Sequence, residues 1–246
     1  MSKIKNQVAL VTGASRGMGR VYVDALLKAG AKKVYAGVRN PTDVADLVEA
    51  SNGKVVALHL DVTNMDHVNA AAQNCKDVSL LVNNAGVALF QGFLSVNDSD
   101  IARQEMEINY FGTLNLIQAF APILKVNGGG AIVNTSSVAS FACFPVLGSY
   151  SASKAAVNLM TQGVRAELAA QGTQVTGVYP GPVDTDMAAN VEMDKTSPQD
   201  VIARVLEAVK NGDEDVYPDP MAVEFHTNFR ADPKAVEKEV GGMLPS

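Results

Sequence analysis

The sequence predicts a doubly wound α/β fold in a single domain of residues 1–246, with a parallel sheet at the centre of a three-layer α/β/α sandwich. Three observations carry that expectation. Short β-branched runs recur along the chain, separated by longer segments of helical spacing, which is the βαβ pattern. Several runs are apolar without strict alternation, as a parallel strand covered by helices on both faces requires. A glycine-rich turn also joins the first run directly to the first helical segment.

In chain order, a strand over residues 8–12 leads into a helix over 17–29. A strand over 33–38 precedes a helix over 41–50, with Pro41 in the first turn, where its fixed φ and missing N–H are tolerated. A strand over 55–60 precedes a helix over 64–74, and a strand over 79–83 precedes the longest helical segment, 100–126. The Gly128-Gly129-Gly130 run breaks that segment before a strand over 131–135. The helix over 150–170 stops at Gly172, and a strand over 174–179 follows. Residues 186–197 form a short loop, one more helix follows Pro198, and Asp215-Val216-Tyr217 reads as a short strand. Residues 220–246 read as a charged C-terminal tail without an assigned role.

Length and composition narrow the function. A chain of 246 residues suits one α/β domain with a sizeable core. Hydrophobic residues at 47% and charged ones at 19% exclude disordered and collagen-like classes. The net charge of -6, without a basic cluster long enough to neutralise a phosphate track, argues against nucleic acid or an anionic membrane and for small-molecule partners. Cys75 and Cys143 form no disulfide framework and lack metal-ligand spacing, so no metal is expected and both read as buried small hydrophobes. The chain enters an apolar strand within a few residues of Met1 and carries no apolar run of membrane-spanning length, so a cytoplasmic location is expected.

The first turn reads Thr12-Gly13-Ala14-Ser15-Arg16-Gly17-Met18-Gly19. A pyrophosphate needs backbone that approaches it without intervening Cβ atoms, and the free N–H groups and positive dipole end of a helix. A strand–turn–helix context offers both. The spacing is G-x-x-x-G-x-G, not the commoner G-x-G-x-x-G, and a plain glycine turn is the competing reading. Farther along, Tyr150 and Lys154 lie four residues apart in a helical segment, which puts a phenol and an ammonium on one face. Ser137, at the mouth of the strand over 131–135, can reach the same volume.

Asp61-Val62 after the third strand, Asn83-Asn84-Ala85-Gly86 after the fourth, Asn109 in the long helical segment, and Pro180-Gly181 followed by Thr185 complete a pattern. With the glycine turn, Ser137, Tyr150 and Lys154, it resembles the short-chain dehydrogenase/reductase family in order and spacing. The resemblance implies a Rossmann-type fold and hydride transfer with a nicotinamide cofactor. Reducing a carbonyl by hydride places negative charge on its oxygen, so the site must donate a proton there and stabilise the oxyanion. Tyr150 is the expected proton donor and acceptor, and Lys154 is expected to bring its pKa from about 10 toward neutrality. The resemblance further implies that Lys154 holds the nicotinamide ribose hydroxyls and that Asn109 positions a water relaying protons to the lysine. Ser137 would hydrogen-bond the substrate oxygen, with adjacent Ser136 as competitor.

For the cofactor, the resemblance implies that Gly13, Ser15, Arg16, Gly17, Met18 and Gly19 form the phosphate turn. Asp61, next to Val62, would contact the adenine, and Asn84, Ala85 and Gly86 would pack beside the adenosine, although a plain post-strand turn equally uses Asn and Gly. Pro180, Gly181, Val183 and Thr185 would border the nicotinamide. An acidic residue at the end of the second strand would bond the ribose 2′-hydroxyl and repel a 2′-phosphate. Here the strand ends Gly37-Val38-Arg39-Asn40. Without that carboxylate, and with Arg16 and Arg39 able to converge on a phosphate, NADP(H) is expected ahead of NAD(H).

The loop of residues 138–149 is apolar and uncharged, which favours a neutral hydrophobic ketone or aldehyde as substrate. Phe141, Phe144 and Val146 are its expected lining beside Ser137, and Met187 suits a pliable wall. A 3-oxoacyl thioester reductase is the nearest alternative, disfavoured because the loop before Tyr150 lacks that group's glycine and glutamine pattern. A catalytically silent nucleotide-sensing protein on the same fold is the alternative of another class. Segments 100–126 and 150–170 carry more apolar and small residues than one sheet-facing stripe needs, among them Ala102, Met106, Ala155, Ala156 and Leu159. The resemblance implies that they pair with symmetry mates in a homodimer or homotetramer.

Overall fold

The computed structural model describes residues 4–95 and 99–245; residues 1–3, at the start of the segment read for a leader, 96–98, and 246, at the end of the C-terminal tail, lie outside the described residues. Strands β1 (Val8–Thr12), β2 (Lys33–Val38), β3 (Val55–His59), β4 (Leu80–Asn83), β5 (Ala131–Thr135), β6 (Gln174–Val178) and β7 (Asp215–Val216) form one parallel sheet. Their order is β3-β2-β1-β4-β5-β6-β7. Helices α1 (Gly17–Lys28), α2 (Ala45–Ala50), α3 (Met65–Asn74), α4 (Asp100–Glu105), α5 (Gly112–Val126), α6 (Gly148–Leu168) and α7 (Pro198–Asn211) flank it. The doubly wound single domain read from the sequence is the fold observed.

Successive strand residues face opposite sides, and in β1 both sides are apolar. Ala9 and Val11 pack with Tyr22, Val23 and Leu26 of α1 and Ile202 and Val205 of α7. Val8 and Leu10 pack with Val68 of α3, Leu116 and Phe120 of α5 and Val164 of α6. Burying each of the larger side chains, Val or Leu, contributes about 1.5–3 kcal/mol, which is why continuous apolar runs settle as central parallel strands. The chain runs outward from β1 through β2 to β3 and then returns to β4 on the other side of β1. That reversal opens a crevice beyond the carboxyl ends of β1 and β4.

Helix signals behave as expected at several ends. Asn64 caps α3 by accepting the Asp66 and His67 N–H groups, and Gly172, with φ of 75°, closes the turn after α6. The segment over 41–50 is a 3₁₀ turn, Pro41–Val44, followed by α2.

Three features differ from the sequence reading. The segment 100–126 is not one α-helix: between α4 and α5 lies a π-helical turn, Met106–Phe111, whose one extra residue per turn leaves no mark in a 3.6-residue periodicity. Gly112 follows it, where a Cβ would lie 2.5 Å from Val62 Cγ2, so only glycine lets α5 start this close to the segment after β3. From residue 220 the chain forms α8 (Pro220–Ala231) and α9 (Pro233–Val240), capped by Asp219 and Asp232 with proline at the first position of each. Their Ala222, Phe225, Val236 and Val240 bury Val138, Ala139, Ala142 and Phe144 after β5. Finally, Cys75 is buried, and burial pushes its thiol up to about 11, but Cys143 is exposed because its neighbours Ala142 and Phe144 take the inward positions. Among the described residues, no helix is long and apolar enough to cross a membrane.

Candidate active site

Thr12, the last residue of β1, joins the two turns that flank the crevice. Its Oγ1 accepts the N–H groups of Asn84 and Ala85, each at 3.0 Å, and Asn84 Nδ2 donates back to the Thr12 carbonyl at 3.1 Å. Gly13 and Gly17 have φ of 66° and 53°, the left-handed region that favours glycine. Gly19 is needed for space, since a Cβ there would meet Gly13 O at 2.0 Å. Arg16 precedes α1 without a side-chain capping bond, and the first turn holds no acidic residue. The leading N–H groups therefore keep their preference for an anion. A glycine cradle with an uncapped helix start fits the pyrophosphate of a dinucleotide.

Lining the crevice are Gly13, Ser15, Arg16, Gly17 and Met18, with Arg39, Asp61, Val62, Asn84, Ala85, Gly86, Thr185 and Met187. Met187, expected on the substrate side, thus stands at this crevice. Gly37, Val38, Leu60, Thr63, Val87, Ile108 and Asp186 also line it and were missed. Gly37, Val38 and Asp186 adjoin residues that were recognised, and that adjacency was the available signal. Arg16 reaches Asp186 at 3.5 Å, but both are mostly exposed, so the pair contributes at most about 1 kcal/mol and leaves the guanidinium available. Burial pushes the Asp61 carboxyl up, but the Thr63 N–H and hydroxyl it accepts, together with the Arg39 charge, hold it below its ordinary range. Asn40 is engaged in capping, its Oδ1 accepting Thr42 N–H.

At the inner end of the crevice α6 brings Tyr150 and Lys154 beside the end of β5. The Ser137 hydroxyl donates to Pro180 O at 3.4 Å and acts on the Tyr150 phenol, lowering its pKa, whereas Ser136 Oγ donates to the Lys154 carbonyl at 3.0 Å. The structure thus gives Ser137, not Ser136, the contact with Tyr150. Lys154 Nζ donates to Thr135 O at 2.9 Å and stands 5.7 Å from the Tyr150 ring centre. Asn109, within the π turn, donates to Val87 O at 3.0 Å and Ser153 Oγ at 2.9 Å and accepts Val87 N–H at 2.8 Å. Gly86 links the two halves of the site: a Cβ there would lie 3.1 Å from Asn109 Oδ1 and 3.4 Å from Lys154 Nζ.

Electrostatics here differ from the expectation. Burial pushes Tyr150 up to about 12, with the Ser137 bond lowering it and the Glu105 charge raising it further. Burial likewise takes Lys154 down to about 8, opposed by Glu105. Burial dominates both shifts, and the Lys154 ammonium is turned onto the Thr135 carbonyl.

Along the stretch expected to border a nicotinamide, Asp219 Oδ2 accepts Gly181 N–H at 2.9 Å, and Pro180 O accepts Val138 N–H at 3.1 Å. Val183 is buried and bridges to Thr196, while Thr185 Cγ2 lies 3.4 Å from where a Gly17 Cβ would stand. The aromatic residues expected to line a substrate pocket pack toward the C-terminal helices. Phe141 packs among Tyr179, Tyr217, His226 and Phe229, and Phe144 stacks on Phe225 at 5.7 Å, so both hold α8 and the sheet edge together. Val146 is half-buried, its N–H donating to Met243 O at 3.1 Å.

A family model described as short chain dehydrogenase matches residues 7–196. An uncharacterized oxidoreductase of Staphylococcus saprophyticus is 32% identical over 222 residues, covering 85% of this chain and 94% of its own. A short chain dehydrogenase from Burkholderia cenocepacia, solved in complex with NADP, is 43% identical over the whole of both chains with a TM-score of 0.92. A 3-oxoacyl-[acyl-carrier protein] reductase from Brucella melitensis, solved with bound NAD, is 28% identical, covers 87% of this chain and 90% of its own, and has a TM-score of 0.78.

Proposed function

This chain belongs to the short chain dehydrogenase family, and we propose that it is an NADP(H)-dependent carbonyl reductase or alcohol dehydrogenase interconverting a neutral, hydrophobic ketone or aldehyde with its alcohol. One observation carries the reading: Ser137, close enough to Tyr150 to lower its pKa, stands with Tyr150 and Lys154 at the Gly86 edge of the dinucleotide crevice. The cofactor, when bound, supplies or accepts the hydride. Tyr150 gives the carbonyl oxygen its proton, and the burial that takes it to about 12 keeps it a phenol at neutral pH, the form that reduction needs. Ser137 donates to the same oxygen and stabilises its developing charge. Lys154, at about 8, is mostly ammonium at pH 7 and holds the ribose hydroxyls. Asn109 fixes the Val87 loop and, by the family's pattern, a water that relays protons to the lysine.

NADP(H) is favoured by Arg16 and Arg39 on the crevice and by the missing acid after β2. The NADP held by the Burkholderia cenocepacia relative supports the same choice. A panel of ketones, aldehydes and a 3-oxoacyl thioester, assayed with NADPH and NADH, tests the reading. We expect turnover of hydrophobic carbonyls with NADPH preferred. Arg39→Asp should raise the NADPH KM at least about tenfold, a change of about 1.4 kcal/mol, and lower that for NADH; unchanged constants would remove Arg39 from the site. The Brucella melitensis likeness favours the thioester as second reading, and preference for it in the panel would establish that alternative. Tight NADPH binding without turnover would move the protein to the silent, nucleotide-sensing class.

The proposal includes a cytoplasmic location, where an exposed thiol such as Cys143 stays reduced. It also includes a homodimer or homotetramer closed through α4, α5 and α6. Leu159 on α6 is 68% exposed and Phe111, just before α5, is exposed as well. Light scattering at micromolar concentration should give a multiple of 25.8 kDa, and a mass near 25.8 kDa itself would overturn the assembly.

A further inference from the structure

Three charged side chains among the described residues are almost wholly buried: Lys154 (4% exposed), Asp219 (1%) and Glu105 (1%). Lys154 belongs to the proposed reaction, and Asp219 caps α8 and holds Gly181. Glu105, the last residue of α4, is left without a role. Its Oε1 accepts the Leu89 N–H at 2.7 Å, and its Oε2 accepts the Ser149 hydroxyl at 2.5 Å. Four residues on, Asn109 takes both backbone groups of Val87. Two side chains one turn apart thus hold alternate residues of the loop leaving β4, just before Phe90, whose φ of 53° is a strained conformation for a non-glycine residue. Ser149 precedes Tyr150 in the first turn of α6. One carboxylate therefore ties the loop at the dinucleotide crevice to the helix that carries Tyr150 and Lys154.

A neutral glutamine would supply acceptor oxygen to the same loop. An ionised carboxylate, in contrast, costs several kcal/mol to bury unless an opposite charge compensates it. The buried cation of this site is Lys154. Residues 84–95 and 131–140, which border the site, contain no Asp, Glu, Lys, Arg, His, Tyr or Cys. The first turns of α6 contribute Tyr150 and Lys154; on α4 and the π turn Asp100, Arg103 and Glu107 are exposed and Tyr110 is half-buried. Glu105 is the one charge found acting on Lys154.

We propose that Glu105 is a positioning residue of this reaction: a buried counter-charge that keeps Lys154 an ammonium and Tyr150 a phenol, while its hydrogen bonds lock the Leu89 loop to Ser149. The inference rests on the roles given above to Tyr150 and Lys154. The Glu105 charge opposes the burial that lowers Lys154 and adds to the burial that raises Tyr150. Removing it should let both groups lose their protons at lower pH.

Glu105→Gln keeps the side-chain volume and an acceptor for Leu89 but removes the charge. In protein labelled with 13C-lysine, with the Lys154 signal identified by its loss in Lys154→Met, the titration midpoint of Lys154 should fall by roughly half to one pH unit. An unchanged midpoint in a folded variant overturns the proposal. Should the variant fail to fold, wild-type protein labelled at the glutamate carboxyl carbon still decides it. Glu105 is the buried glutamate among the described residues, so every glutamate signal ionised at pH 7 supports the counter-charge, and a protonated one overturns it. Neither measurement needs a turned-over substrate, so a failed reaction assignment and a failed counter-charge are told apart. With a substrate in hand, the alkaline limb of kcat/KM for reduction should move to lower pH in Glu105→Gln. A uniform loss of activity without that movement would mark a merely structural contact and overturn the role.

Discussion

Tyr150→Phe should lower kcat for carbonyl reduction by at least about a hundredfold, the usual range for removing a general acid, while NADPH binding stays within about twofold. The substitution deletes the hydroxyl that meets Ser137 and leaves the ring, which packs against Phe144 and its neighbours, in place. The fold loses one hydroxyl and keeps its packing, a cost of at most about 1 kcal/mol, so the thermal midpoint should move by only a few degrees. Steady-state kinetics beside a binding titration with NADPH separate chemistry from cofactor affinity. If the variant keeps more than about a tenth of kcat, a loss below about 1.4 kcal/mol, Tyr150 is not the proton donor.

Gly19→Ala should all but eliminate cofactor binding by steric means. A methyl at this position stands 2.0 Å from Gly13 O and 2.7 Å from Asn84 Nδ2, and the nearer obstacle is backbone, which cannot rotate away. Either the phosphate turn or the start of α1 must shift, at a cost of about 1–3 kcal/mol or more. NADPH affinity should fall at least about a hundredfold, since a cradle displaced by a fraction of an ångström no longer presents its N–H groups together. Gly163→Ala serves as the control. It lies in α6 with nothing within 4 Å of a new Cβ, so it should gain about 0.5–1 kcal/mol of stability from reduced chain entropy and leave binding unaltered. Calorimetric titration and thermal melts of both variants check the pair. Wild-type affinity in Gly19→Ala would mean that this crevice is not where the phosphates sit.

Much of this architecture is legible in the residue order because it depends on local physics. β-branched apolar runs must be buried on both faces, so β1, β2 and β5 begin and end where their composition changes. Gly172 closes the turn after α6 because the left-handed conformation there favours glycine. Asn64 starts α3 because its side chain can accept two free N–H groups. The two C-terminal helices were equally written in Asp219-Pro220 and Asp232-Pro233, a cap followed by a first-turn proline, yet a high charge content masked them.

The candidate site divides along the same line. The glycine turn, Ser137, Tyr150 and Lys154 stand out in the sequence because each needs a particular chemistry at a particular spacing. The π turn that aims Asn109, the Phe141 and Phe144 rings drawn toward α8, and the buried Glu105 carboxylate that ties Leu89 to Ser149 do not. Each depends on which distant segments come to lie within a few ångströms, and on how much water they exclude. The sign of the error on Tyr150 is the plainest case. A lysine four residues away suggests a lowered pKa, but the segments after β4 and β5 close over both groups and desolvation reverses the outcome. Spacing along a helix establishes which groups can meet; the dielectric and the third charge they meet in are properties of the packed chain.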